Sequence, residues 1–194
     1  VSDEIHCDLT RKGKSHIPMA KIMTDYPKLI TCMAPTKTFN LAGMAFSNII
    51  IRDQATREEF RARDKLFGMV NPLSLTAAKA AYDKGGPWLE ELRDYLDGNF
   101  AFVQEFLSLE LPEAVMNISD ATYLAWVDLG RCLPDVADLP GFFANEAGVL
   151  LEGGNSLFVD NAEGYIRLNL AMPRSMIQTG LERIRDSIRR HRKS

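Results

Sequence analysis

The stretch from Pro87 to Pro112 constrains this chain more than any other. Trp88, Leu92, Leu96, Phe100, Val103 and Leu107 recur at steps of three and four, which makes one apolar stripe down a single long helix. Any fold the chain adopts must bury that stripe. A helix of this kind can run from one domain into the next, with Gly98 as a candidate bend, and it is expected to end near Leu111 and Pro112.

Ahead of the stripe, short apolar runs alternate with helical patterns. "KLITCMA" (Lys28–Ala34) and "SNIIIRD" (Ser47–Asp53) are β-branched and bounded by Pro or polar residues, and both read as buried strands. "QATREEFRARDKLFG" reads as a charged helix stopped at Gly68. "NPLSLTAAKAAYDKGG" reads as a second, with Pro72 near its start and Gly85 and Gly86 at its end. Behind the stripe, "AVMNIS" and "TYLAWVDL" read as strands, "LPGFFANEAG" as helical, "VLLEGG" as a short strand and "YIRLNLAM" as another strand. A last amphipathic helix carries Ile177, Leu181, Ile184 and Ile188 on one face, with Ser175 as its expected N-cap. The expected division is residues 1–86, built as α/β, and residues 87–194, the long helix with an α+β part.

Composition narrows the class. Hydrophobic residues are 46% and charged residues 25% of the chain, an ordinary globular balance with no biased segment to explain. A net charge of -3 argues against nucleic-acid binding by bulk charge. The basic end "RIRDSIRRHRKS" reads instead as a solvated last helix whose cations suit the C-terminal dipole. No apolar run reaches the ~18–20 residues a membrane span needs. Cys7, Cys32 and Cys132 are odd in number, widely spaced and free of CxxC pairs, which fits reduced thiols in the cytoplasm. His6, His16 and His191 have no metal-ligand spacing, so no metal is expected. The chain opens at Val1 rather than Met and shows no signal peptide, so it reads as a piece of something longer.

Three positions could carry chemistry. Asp3 stands at what reads as a strand end, where open α/β sheets present ligand-binding residues; a cap or a surface charge is the plainer reading. Lys37, in the connection between the first two strands, is either a surface lysine or an amine meant to react. In "YIRLNLAM" the period of two turns Arg167 away from the apolar face of Ile166, Leu168, Leu170 and Met172. A guanidinium held on a strand makes a bidentate clamp for a carboxylate, or simply a solvated strand face.

"SDEIHCDL", "APTKTFNLAG", "TYLAWVDL", "EGGNSLFV" and "GYIRLNLAMPRS" occur in one order along nearly the whole chain. Together they resemble the C-terminal half of a fold-type I pyridoxal-phosphate enzyme, in the cystathionine β-lyase-like (C–S lyase) branch of the class I/II aminotransferase family. The resemblance implies an α/β fold: residues 1–86 as the C-terminal remainder of the large cofactor-binding domain, and residues 87–194 as the connecting helix and α+β small domain. It implies that Lys37 forms the Schiff base with pyridoxal 5'-phosphate and that a buried Asp3 pairs with the cofactor's ring nitrogen. His6 stands where many relatives carry a tyrosine near the phenolic oxygen, and Thr36 where a hydroxyl commonly holds the phosphate. Arg167 matches the arginine that binds the substrate α-carboxylate. A partly desolvated setting for Lys37 is expected with these roles.

Two departures belong to the same comparison. Many aminotransferases carry a phosphate-binding arginine at the position of Ala45, which the C–S lyase branch commonly lacks; Ser47 is a weak substitute. Met172 replaces a cysteine frequent in the branch. The expected function is α,β-elimination from cystathionine or another cysteine S-conjugate, giving pyruvate, ammonia and a thiol, in a homodimer. The expected alternatives are a class I/II aminotransferase, or a non-catalytic piece that dimerises. The N-terminal half of the family pattern is not in the chain, so the chain alone is expected to be inactive, with sheet edges open to pairing.

Overall fold

The computed structural model describes residues 1–63, 70–157 and 162–193. The expected helix stop at Gly68 lies outside the described residues, as do Phe158 and Val159 of "EGGNSLFV". The chain divides into two units: Val1–Asp94 with Asp120–Thr122, and Tyr95–Ser119 with Tyr123–Ser194.

The first unit holds β1 (Ser2–Asp3), the single turn α1 (Met19–Ile22), β2 (Ile30–Met33), the single turn α2 (Pro35–Thr38) and β3 (Asn48–Ile51). The helices α3 (Gln54–Arg63) and α4 (Pro72–Lys84) follow, then the start of α5 (Gly86–Glu110). The strands form one sheet in the order β1-β2-β3, with β1 parallel and β3 antiparallel to β2. α4 begins and ends on the residues that suit those positions. Asn71 caps it by accepting the Leu73 amide at 2.9 Å, Pro72 opens it, and Gly85 closes it.

The core of this unit is thin: Leu9, Leu29, Ala34, Ile51 and Ala78 are buried. β3 departs from the buried strand expected of "SNIIIRD", since Ile49 and Ile50 are exposed and only Ile51 is buried. As the last strand of a three-stranded sheet, β3 has one strand neighbour, which leaves two of its isoleucines in solvent.

The second unit holds the rest of α5, then β4 (Val115–Met116), β5 (Leu124–Asp128), α6 (Leu139–Ala147), β6 (Glu152–Gly153), the single turn α7 (Gly154–Leu157), β7 (Tyr165–Asn169) and α8 (Arg174–His191). Its sheet is antiparallel throughout, in the order β4-β5-β7-β6. The apolar stripe of α5 (Phe100, Val103, Leu107), the inward side chains Ala125, Val127, Ile166 and Leu170 of the sheet region, and Ile177, Leu181, Ile184 and Ile188 of α8 form one buried core.

α5 runs unbroken from Gly86 to Glu110. The expected bend at Gly98 is absent; a Cβ there would lie 2.7 Å from Nη2 of Arg174, the mobile end of a long side chain. Arg174 instead donates through Nε to the fully buried Asn99 at 3.1 Å, and Asn99 in turn holds the Leu170 carbonyl at 2.9 Å.

One expectation at α8 is corrected. Ser175 is not the N-cap: the helix starts at Arg174 after Pro173, and the Arg174 amide donates to the Tyr95 hydroxyl at 2.9 Å. A tyrosine from α5 thus satisfies one of the helix's orphan donors in place of a local cap. The basic end is exposed at Arg189, Arg190 and Arg192, as expected, and its guanidinium groups also find partners. Arg189 reaches the Glu110 carboxylate at 2.8 Å, Arg190 the Glu146 carbonyl at 2.7 Å and Arg192 the Cys132 carbonyl at 3.1 Å.

Candidate active site

β1 and β2 are parallel neighbours, so their carboxyl ends lie on the same side of the sheet. That is the side on which open α/β sheets present ligand-binding residues. Asp3 is the last residue of β1, in register with Cys32 of β2. Its Oδ1 accepts the Ile5 amide at 3.2 Å, turning the chain as the strand ends. β2 stops at Met33, Ala34 stays extended, and Pro35, with its φ preset, opens the turn that carries Lys37.

In α2 Pro35, Thr36 and Thr38 are buried and Lys37 alone is exposed. The turn is held by its neighbours. Thr38, fully buried, donates to Asp8 Oδ2 at 3.1 Å. Phe39 packs between Tyr82 and Trp88, with ring centroids 6.4 and 5.7 Å away. Asn40 adopts a left-handed φ of 53°, and the Leu41 amide returns to the Thr36 carbonyl at 2.9 Å, a Schellman-type closure. The lysine therefore stands on a fixed base with its side chain exposed. Ala45 also has a left-handed φ, of 45°.

His6 is half-buried, with Nδ1 3.1 Å from Oγ1 of Thr122. Thr122 holds a φ of 72°, a strained conformation for a β-branched residue. The strain persists because the segment is stitched down: the Thr122 amide donates to the Leu9 carbonyl and the Arg11 amide to the Asp120 carbonyl, both at 2.8 Å. The Arg11 side chain also donates to the Thr122 carbonyl. Next to His6, burial first and the Asp8 charge second push the Cys7 thiol up to about 11.

The desolvation expected of Lys37 and Asp3 is absent: both residues are exposed. The three-stranded sheet and thin core of this unit leave the sheet's carboxyl end open to solvent.

The buried acid of this region is Glu4, which the sequence reading did not single out. Its carboxylate accepts from His16 Nε2 at 2.7 Å, the Met19 amide at 3.0 Å and the Ser2 hydroxyl at 3.0 Å. Burial alone would raise this carboxyl, but those bonds together hold it below its ordinary value. No spacing in "SDEIHCDL" marks Glu4 as buried, because two of its partners, His16 and Met19, arrive from a later segment.

Arg167 belongs to the second unit. Across its sheet it pairs with Trp126 on one side and Glu152 on the other. Ile166 and Leu170 are buried, as the period of two requires, and Tyr165, on the same side as Arg167, stacks on Trp126 with ring centroids 5.3 Å apart. The Arg167 guanidinium forms an ion pair with Glu152, while its Nε is buried without a hydrogen-bond partner among the described residues. Glu152 escaped the sequence reading because only the strand register reveals it. The structure thus brings Asp3, His6, Thr36 and Lys37 together in one unit and places Arg167 in the other.

A family model described as aminotransferase class I and II matches residues 1–184. The chain is 41% identical over 192 residues to cystathionine beta-lyase PatB of Bacillus subtilis, covering 97% of this chain and 49% of that protein. Its fold superposes on the PLP-bound C–S lyase of Staphylococcus hominis with a TM-score of 0.91 and 47% identity, over 96% of this chain and 49% of that one. Cystalysin of Treponema denticola, whose structure contains pyridoxal 5'-phosphate, gives a TM-score of 0.90 and 36% identity, covering 97% of this chain and 48% of that one. The chain spans about half the length of the relatives it matches.

Proposed function

The chain belongs to the class I and II aminotransferase family, and from that premise we propose that the whole protein is a pyridoxal-phosphate-dependent C–S β-lyase. The observation that carries this reading is the parallel pairing of β1 with β2, which gives one sheet end a carboxylate from Asp3 and an amine from Lys37. The resemblance of 41% and more to proteins named cystathionine beta-lyase and C–S lyase supports the choice of reaction. In this reading the first unit is the end of the large domain and the second is the small domain. A homodimer in the cytoplasm is part of the same proposal. Among the described residues, no helix is long and apolar enough to cross a membrane.

The residues present fit the cofactor: an acid and an exposed amine at neighbouring strand ends, a half-buried imidazole, and a buried threonine. Pyridoxal phosphate, when bound, supplies an electron sink for the bonds at the substrate's Cα. Asp3 would pair with the ring nitrogen and favour its protonated form, His6 would serve the phenolic oxygen, and Thr36 would contribute to the phosphate site. Lys37 would hold the cofactor covalently, and its Nζ, once released by the substrate amine, would take the Cα proton as general base. Arg167 binds the substrate α-carboxylate and so orients the Cα–H bond. Loss of the Cα proton and the Cβ–S bond releases the thiol, and hydrolysis of what remains yields pyruvate and ammonia.

The test is pyruvate release from cystathionine by the whole protein, with Lys37→Ala alongside; equal rates in the two would remove the mechanism. The family's own description favours a second reading, transamination by the same residues. A 2-oxoacid that speeds turnover, without pyruvate release from cystathionine, would select it.

A further inference from the structure

Glu4 is an acid that the proposed chemistry does not use, yet it is the most elaborately bonded carboxylate near the site. It follows Asp3 directly and precedes His6 by two positions. Its backbone extends the ladder beyond β1, with the Glu4 amide donating to the Cys32 carbonyl at 2.8 Å. Its carbonyl accepts the Cys7 amide at 3.0 Å, closing the turn that contains His6. Glu4 is 6% exposed, and its side chain takes three donors: the Ser2 hydroxyl, His16 Nε2 and the Met19 amide.

A carboxylate buried to this degree costs stability unless every bond is made, so a chain that keeps one uses it to fix a geometry. Here the bonds converge from both sides. Ser2 lies on β1, while His16 and Met19 lie on the returning segment that leads to β2. That segment is otherwise mostly exposed, with Ile17 and Ile22 in solvent, so apolar burial does little to hold it down. The charge-assisted bonds to Glu4 do so instead.

We propose that Glu4 is a positioning residue: its buried carboxylate clamps the His16–Met19 segment against the end of β1 and thereby fixes Asp3 and His6 for pyridoxal phosphate. This rests on the assignment of Asp3 and His6 to the cofactor. Glu4 itself touches neither cofactor nor substrate. Gln at this position keeps the size and an acceptor oxygen but loses the charge that holds two N–H donors and a hydroxyl at once. Asp keeps the charge but is one methylene short.

The experiment compares the whole wild-type protein with Glu4→Gln and Glu4→Asp, using added pyridoxal phosphate as the probe. The expected result for Glu4→Gln is an amide-exchange rate at Met19 about tenfold faster, cofactor affinity about tenfold weaker, and a smaller visible circular dichroism per bound cofactor. Glu4→Asp is expected to recover part of the dichroism. Faster exchange with unchanged affinity and dichroism would make Glu4 merely structural and overturn the inference, as would no change in any readout. A wild-type protein that takes up no cofactor would instead overturn the assignment of the site itself. Uptake by wild type and Glu4→Gln alike removes only the role given to Glu4.

Discussion

Burial alone would raise the Glu4 carboxyl, yet the bonds from His16, Met19 and Ser2 hold it below its ordinary value of 4.5. A depressed folded value means that the stabilisation is present above the unfolded value and is lost as the pH falls through the folded one. Chemical denaturation of the whole protein at pH 7 and at successively lower pH should show that loss only below pH 4.5. Glu4→Gln should flatten this part of the acid profile; an unchanged profile would count against the buried ion. Cys7 shows the opposite case. With its thiol at about 11, raised by burial first and Asp8 second, it is almost entirely protonated at neutral pH. Alkylation of Cys7 by iodoacetamide should keep accelerating as the pH is raised toward 11, and Asp8→Asn should move that rise to lower pH. Neither property was legible in the sequence, because each depends on groups brought close by folding. Lys37 and Asp3 were legible as candidates only through the ordered motifs around them, and their exposure was not.

At the scale of elements, periodicity was the dependable guide. The stripe of α5 and the apolar face of α8 stand where the steps of three and four put them, and the alternation in "YIRLNLAM" orients Arg167 as expected. Strands fared less well at their ends. "AVMNIS" contributes only Val115–Met116 and "VLLEGG" only Glu152–Gly153, since ladder partners rather than local residues decide where pairing stops. The cap expected at Ser175 failed for a similar reason: Tyr95, far away in sequence, serves the start of α8. Tyr95→Phe removes that acceptor and should cost about 1 kcal/mol, read from denaturant midpoints. Gly85 offers a sharper test of how Lys37 is held. A Cβ there would lie 2.3 Å from Phe39 Cε1 and 2.4 Å from the Ala81 carbonyl oxygen, so the ring or the end of α4 has to move. Gly85→Ala should destabilise by about 1–3 kcal/mol through overpacking. It should also weaken cofactor uptake in the whole protein, because Phe39 anchors the turn bearing Lys37; normal uptake would show that the anchor is dispensable.

For the whole molecule, the two units differ in how far each completes itself. The second has a continuous core from α5 through its sheet to α8. The first buries Leu9, Leu29, Ala34, Ile51 and Ala78, leaves Ile49 and Ile50 in solvent, and exposes both Lys37 and Asp3. Burial strengthens the pairing of a carboxylate with a ring N–H, and neither Asp3 nor Lys37 has that shielding in this chain. The relatives it matches are about twice as long, which leaves room for the shielding that Lys37 and Asp3 lack here. Added pyridoxal phosphate should therefore give the whole protein a strong absorbance band near about 420 nm, the region of a protonated Schiff base, that Lys37→Ala abolishes. The 194-residue chain by itself should give a weak band and no pyruvate from cystathionine. Lyase activity from the chain alone, at a rate comparable with the whole protein, would mean that Lys37 and Asp3 need no further shielding. The exposure that separates them from a working site would then have no bearing on catalysis.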